Sequence, residues 1–155
     1  MTNTINMKVI GCLTANNNGF AIKINDEYKE ALLGLNKYSH LHVVWVANEA
    51  DNKYLICKKP YTKSTEDYGV FASRSPLRPN PICISIAQII DVDMAEGRIT
   101  VPYIDCFDGT KIIDIKPYNP SSDLVEEARV PEQLSHWPKS YEASGEFDWS
   151  NEFTY

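Results

Sequence analysis

The feature that most restricts this chain is the tight spacing at which turn residues interrupt its β-forming runs. MKVIGCLTA (7–15) stops at Asn16-Asn17-Asn18-Gly19, four residues that tolerate positive φ. FAIKIN (20–25) then resumes, with Phe20, Ile22 and Ile24 alternating against Ala21, Lys23 and Asn25. That period belongs to a half-buried strand, so the two runs are predicted to pair as a hairpin. ICISIAQIIDVD (82–93) and GRITVPYID (97–105) are β-rich and turn at Ala95-Glu96-Gly97, and TKIIDIKPY (110–118) alternates again after Asp108-Gly109. LHVVWVANEA (41–50) has the apolar, β-branched character of a buried strand, and YLICKK (54–59) is a shorter one. Only DEYKEALLGLNKYSH (26–40) shows helical spacing: Asp26 is a candidate N-cap, Tyr28, Ala31, Leu32 and Leu35 recur near one face, and Gly34 falls close to the end. Six or seven strands with one or two short helices define a mainly β fold, either a barrel or a sandwich-like sheet.

At 155 residues the chain is the size of one domain. A chain of that length buries roughly 68–70% of its unfolded surface and needs no disulfide or metal to hold a core. Its start lacks the basic and apolar regions of a signal peptide, and no apolar run approaches the ~18–20 residues of a membrane span, so a cytoplasmic protein is expected. Cys12, Cys57, Cys83 and Cys106 lie far apart without a C-x-x-C pair, and are read as reduced thiols. His40 and His42 would share one strand face, but no Cys or carboxylate stands in register with them, and no metal is expected.

Charge is distributed unevenly. Residues 1–122 hold 13 basic and 13 acidic side chains, whereas residues 123–155 set Arg129 and Lys139 against eight carboxylates and so carry the whole net charge of −6. A disordered acidic tail is poor in aromatics, yet this one contains Trp137, Tyr141, Phe147, Trp149, Phe153 and Tyr155. An ordered extension is therefore predicted over 123–155, packed on the 1–122 domain or on a dimer partner, with Trp137 and Trp149 buried. The segment 51–80 runs the other way: Lys53, Lys58, Lys59, Lys63, Arg74 and Arg78 outnumber Asp51, Glu66 and Asp67. Such an excess suits either a phosphate or a solvated loop.

The common nucleotide, hydrolase and zincin motifs are absent: there is no G-x-G-x-x-G after a strand, no G-x-x-x-x-G-K-[ST], no G-x-S-x-G and no H-E-x-x-H. Whatever the chain binds, it uses another device. Two blocks remain over-specified for structure alone, GVFASRSPLRPNPICIS (69–85) and DCFDGTKIIDIKPYNP (105–120). The first sets Arg74 and Arg78 on a proline-stiffened loop, where a guanidinium fork suits carboxylate or phosphate oxygens. The second offers the backbone N–H groups and carboxylate of an Asp108-Gly109 turn, then Asp114 and Lys116 on a strand. Arg74 could instead pair with Asp105 or Asp114, and Asp108 could simply close a hairpin.

These paired blocks resemble the TsaA-like, or TrmO-type, family, whose pattern runs GVFATRSPHRPNPIGLS and then DGTPVLDIKPY. IGCL, GFAIKI, EYKEALLGL and YSHLHVVW follow in the family's order, so the resemblance covers about residues 8–123. It implies a small β-barrel that binds S-adenosylmethionine outside the Rossmann fold, acts as a homodimer, and methylates the exocyclic amino nitrogen of the threonylcarbamoyl-modified adenosine beside the tRNA anticodon. By the same resemblance Arg74, Arg78, Asn80, Ile84, Asp108, Gly109 and Thr110 are the expected cofactor residues. Leu77, Cys83, Ile84 and Lys111 depart from the pattern at its usual His, Gly, Leu and Pro. Methyl transfer to an amine needs a nearby proton acceptor; of Asp105, Asp108 and Asp114, Asp108 is the expected catalytic residue. The alternatives are a methyltransferase acting on another substrate and a non-catalytic S-adenosylmethionine-binding module.

Overall fold

In the computed structural model, residues 3–48, 50 and 54–154 are described. Asp51 and Lys53 of the basic stretch, Glu49 at the end of a predicted strand, and Tyr155 of the tail lie outside them. The chain divides into two compact units, one formed by 1–50 and 81–123 and the other by 51–80 and 124–155.

The first unit is a seven-stranded antiparallel sheet. Its strands are β1 (Gly11–Asn16), β2 (Gly19–Ile24), β3 (His40–Val46), β6 (Ile82–Gln88), β7 (Asp91–Asp93), β8 (Arg98–Val101) and β9 (Lys111–Pro117), in the order β6-β3-β9-β1-β2-β8-β7. The predicted β1–β2 hairpin forms with Leu13 opposite Ile22 and Asn16 opposite Gly19. Its turn is an Asx turn, Asn18 N donating to Asn16 Oδ1 at 2.8 Å, and Gly19 takes φ 104°, a conformation glycine adopts without steric cost. Alternation aims Leu13, Ile22, Leu41, Val43, Ile99 and Ile112 inward, and all six are fully buried. Burying one such side chain contributes about 1.5–3 kcal/mol, so these six form the main support of the sheet.

The predicted strand 82–93 proves to be two strands joined by a bend. Ile89 N still donates to Ser39 O (2.8 Å), on the β3 side, while Ile90 N donates to Thr100 O (2.9 Å), on the β8 side. Consecutive residues therefore serve opposite ends of the sheet order. No ladder joins β6 to β7 among the described residues, so the barrel expectation is met only as far as a mainly antiparallel β sheet with short helices.

The helix expected over 26–40 becomes two 3₁₀ helices, Asp26–Leu32 and Leu35–Lys37, broken at Gly34 with φ 86°. The N-cap is Asn25, without a side-chain capping bond, and Asp26 pairs instead with Lys29 (2.8 Å). Leu32, at the end of the first 3₁₀ helix, is plugged into the core.

The second unit contains the short pair β4 (Ile56–Cys57) and β5 (Tyr68–Gly69), a 3₁₀ helix Val70–Ala72, a 3₁₀ helix Glu132–Leu134 and the helix Tyr141–Gly145. The predicted strand 54–59 is thus only two residues long. Aromatic side chains hold the unit together: Trp137 meets the edge of Tyr61 (5.3 Å between ring centres) and of Trp149 (5.1 Å). Both tryptophans are half-buried rather than buried, and 124–155 falls in one compact unit with 51–80.

Glu152 ties this cluster electrostatically. Its Oε2 accepts from Trp137 Nε1 (2.8 Å) and lies 2.7 Å from His136 Nε2. The Trp137 N–H and then His136 hold the carboxyl below its ordinary value of 4.5. A carboxyl lowered on folding contributes stability that is complete above the ordinary value and is lost as pH falls through the lowered one. Acidification through and below pH 4.5 is therefore expected to loosen the aromatic cluster, read as a shift in tryptophan emission. The transition should disappear in Glu152→Gln, and its persistence there would exclude Glu152 as the cause.

Candidate functional site

The first motif block forms a loop organised by its serines. Ser73 Oγ donates to Val70 O (2.9 Å) and accepts from Ser75 N (3.3 Å), while Ser75 Oγ accepts from Leu77 N (3.2 Å). Arg78 closes the loop from inside, its Nη1 donating to the carbonyls of Ser73 (3.1 Å) and Ser75 (3.3 Å). Its guanidinium also stands 6.0 Å from the centre of the Phe71 ring, which is 80% exposed. Arg78 thus spends at least part of its donor set on the loop, a role that the sequence reading did not assign. The signal was present in the Ser-x-Ser spacing of 73–75, because such hydroxyls commonly bond backbone groups one or two residues away.

Arg74 differs. It is exposed on this loop and makes no hydrogen bond or ion pair among the described residues, so the structural pairing considered for it is not made. Asn80 is likewise exposed at the loop's end. A charged fork held on a stiff loop without an internal partner is available to an anion.

The second block is stitched into the sheet. Gly109 N donates to Leu13 O (2.8 Å), Leu13 N to Thr110 O (2.9 Å), and Asp108 Oδ1 accepts from Ala15 N (2.7 Å). Gly109 adopts φ 78°, as such a turn requires. Asp108 therefore has a structural task at Oδ1, while Oδ2 has no hydrogen bond among the described residues. Thr110 hydrogen-bonds the Cys106 thiol, whose pKa burial pushes up to about 11. That thiol stays protonated at neutral pH and is no nucleophile.

Further along β9, Asp114 is occupied as well: its Oδ1 accepts from Ile115 N (2.9 Å) and its Oδ2 pairs with Lys116 (2.9 Å). The ladder between β3 and β9 slips here, at a β-bulge beside Val44 and Trp45. Ile84, 46% exposed, lies on β6 opposite Val44. Ile84 and the Asp108–Thr110 turn thus belong to the first unit, and Arg74, Arg78 and Asn80 to the second.

Two features were not foreseen. A cavity of about 520 Å³ opens beside the 3₁₀ helices, lined by Tyr28, Leu32, Tyr38, Asp114 and Ile115 among others, and by none of the expected site residues. On β3, His42 Nε2 stands 3.2 Å from Asp123 Oδ2, close enough for an ion pair though not aligned as a hydrogen bond, and its buried Nδ1 has no partner among the described residues. The long separation of 42 and 123 hid that pairing. Among the described residues, no helix is long and apolar enough to cross a membrane.

Residues 11–124 match the family described as the tRNA-methyltransferase O N-terminal domain, and the chain belongs to that family. It is 38% identical over 104 residues to an S-adenosyl-L-methionine-binding protein of Archaeoglobus fulgidus, covering 67% of this chain and 72% of that one. It is 33% identical over 112 residues to the human tRNA (adenine(37)-N6)-methyltransferase, covering 70% of this chain and 24% of that one. A protein of Pyrococcus abyssi named "probable S-adenosyl-L-methionine-binding protein" is 36% identical over 110 residues, 70% of this chain and 57% of that relative's length. Among solved structures, TrmO from Pseudomonas aeruginosa matches with a TM-score of 0.67 at 26% identity, over 85% of this chain and 62% of that one. Another TrmO crystal structure matches with the same TM-score at 27% identity, over 83% and 64%.

Proposed function

We propose that this protein is an S-adenosylmethionine-dependent methyltransferase that methylates the exocyclic amino nitrogen of the threonylcarbamoyl-modified adenosine beside the tRNA anticodon. The observation that carries the reading is the match over 11–124, a span that includes both motif blocks, together with the names of the relatives to which the chain is similar. Arg74, with no polar partner among the described residues, has a guanidinium suited to the amino-acid carboxylate of the cofactor, and Asn80 stands exposed on the same loop. In the first unit, Ile84 and the Asp108–Gly109–Thr110 turn are the residues that the family pattern gives to the same group. When bound, S-adenosylmethionine supplies a methyl group on a sulfonium.

The protein's own part is positioning and proton handling. Arg78 and the two serines keep the loop stiff, which lowers the entropy lost on binding. Asp108 is held at Oδ1 by Ala15 N–H, which leaves Oδ2 to accept the proton released from the acceptor nitrogen. Asp108→Asn keeps an oxygen for the Ala15 bond but cannot take that proton. It is expected to lower turnover about a hundredfold, within the usual range for general base catalysis, while cofactor affinity holds. Equal losses in both, measured by single-turnover kinetics and calorimetry, would make Asp108 a cofactor ligand instead.

On this reading the sheet of the first unit is a barrel closed by the bent strand 82–93, since Ile89 and Ile90 pass from β3 to β8 in one step. On the same reading the protein works in the cytoplasm and as a homodimer; light scattering that returns the mass of one chain would exclude the dimer. Leu77, where the family pattern has His, favours a second reading in which the cofactor is kept and the methyl acceptor differs. Incubation with methyl-labelled S-adenosylmethionine and total tRNA, with and without the threonylcarbamoyl group, separates the cases. Label only on the modified tRNA supports the first reading, label on other acceptors the second, and a protein that binds the cofactor without labelling anything is a binding module.

A further inference from the structure

The first motif block displays a ring that cofactor binding does not use. Phe71 is 80% exposed, while its neighbour Val70 is buried. The backbone that carries the ring is fixed. Val70–Ala72 is a 3₁₀ turn in which Val70 O accepts from Ser73 N (3.1 Å) and from Ser73 Oγ (2.9 Å), and Val70 N donates to Leu55 O (2.9 Å). Exposure alone would carry nothing, since single apolar side chains are common on protein surfaces.

Arg78 distinguishes this ring from the other exposed apolar side chains. Its guanidinium stands over Phe71, 6.0 Å from the ring centre, at the outer limit of a cation–π contact. Nη1 is held by the carbonyls of Ser73 and Ser75, whereas Nε and Nη2 donate to nothing among the described residues. An open ring and a fixed cation thus stand side by side, and the cation still has N–H groups to donate.

The charge around the ring selects the partner. Residues 68–81 contain Arg74 and Arg78 and no carboxylate. The chain alongside is 54–57, bonded through Val70 N to Leu55 O and through Tyr54 N to Leu77 O (3.2 Å), and it is uncharged. Of the acids just upstream, Asp67 is paired with Lys58 (2.8 Å) and Glu66 lies on the far side of β5 in sequence. The hydrogen bonds that tie the acidic tail to this unit land on Lys59, Pro60, Thr62 and Thr65, ahead of the loop. A bare aromatic ring beside a cation, without a carboxylate in the loop, suits single-stranded RNA, whose bases stack on rings and whose phosphates meet guanidinium groups. A duplex hides its base faces, and a cofactor pocket would bury most of its ligand, which so open a ring does not do.

We infer that Phe71 is a stacking platform for an unpaired base of the substrate RNA, with the N–H groups that Arg78 does not spend on the loop meeting the phosphate beside that base. The inference rests on the tRNA reading above and adds the residue that would hold the RNA.

The test titrates the protein with an anticodon stem-loop RNA carrying the threonylcarbamoyl adenosine and with a fully paired RNA of the same length. In Phe71→Trp, the added emission relative to wild type should be quenched by the stem-loop and not by the duplex. In Phe71→Ala, KM for the stem-loop should rise about five- to hundredfold, the range that loss of one base stack produces, while kcat, cofactor affinity and melting temperature hold. Phe71→Tyr should restore KM and Phe71→Leu should not, because leucine keeps apolar bulk without a face to stack on. A wild-type KM in Phe71→Ala, full rescue by leucine, or equal quenching by the duplex would overturn the inference even if the enzyme methylates tRNA. Cofactor affinity that falls with the ring would move Phe71 into the cofactor site, and dimer dissociation in Phe71→Ala would give it to a contact between copies; either result overturns the stack. A wild-type protein that neither binds nor methylates the stem-loop defeats the tRNA reading itself, and that failure appears before any variant is made.

Discussion

Replacing Gly11 by alanine is expected to cost about 3 kcal/mol of stability or more, at the upper end of overpacking in a well-packed sheet. Gly11 opens β1 opposite Ile24, and a Cβ there would run into the carbonyl oxygen of Lys23, a backbone atom of β2 that cannot swing aside. The strand also pairs with β9 on its other side, through Gly11 and Ile112, so retreat from β2 would disturb a second ladder. Because Asp108 and Gly109 are bonded to β1 two to four residues further on, the same substitution should also disorder the turn at the candidate site. Chemical denaturation measures the cost. Gly145→Ala, where a new Cβ meets nothing within 4 Å, serves as the control and should stay within about 0.5 kcal/mol of wild type. A Gly11→Ala protein as stable as that control would show that β1 and β2 do not approach as described.

The second large effect is on binding. Arg74→Ala is expected to weaken S-adenosylmethionine about ten- to hundredfold, because a charge-assisted hydrogen bond to a bound anion contributes about 1.5–3 kcal/mol. The melting temperature should not move, since Arg74 makes no polar contact among the described residues that could be lost. Arg78→Ala provides the contrast. It releases the carbonyls of Ser73 and Ser75 and should loosen the loop, weakening the cofactor only indirectly. Calorimetry that finds Arg74→Ala equal to wild type would remove Arg74 from the site and leave the first motif block a structural loop.

Local chemistry was legible in the sequence wherever a turn or an alternation carried it. Asn16-Asn17-Asn18-Gly19 announced the hairpin, and the inward Ile22 and Ile24 of β2 followed from period two. The bend in 82–93 was not legible, because Ile89 and Ile90 continue the apolar run and only their hydrogen bonds to Ser39 and Thr100 show the change of partner. The two 3₁₀ helices look α-helical because Leu32 and Leu35 recur at three residues, a spacing that both helix types share. The separate roles of the two arginines also escaped the sequence. Both are basic residues on one proline-rich loop, and only the inward turn of Arg78 toward its own carbonyls distinguishes them. Asp108 was legible as a turn residue, but its bond to Ala15 spans 93 positions and no local pattern encodes it. The same holds for Glu152 with Trp137 and for His42 with Asp123, pairs made by the fold rather than by spacing.

The central claim is methyl transfer to one modified nucleoside. Its most direct test is to react the protein with methyl-labelled S-adenosylmethionine and threonylcarbamoyl-modified tRNA, digest the RNA, and identify the nucleoside that carries the label. The account predicts label on the threonylcarbamoyl adenosine alone, with none on tRNA lacking that group and a large loss of label in Asp108→Asn. Label on any other nucleoside, or none at all from a protein shown to bind both partners, would contradict it.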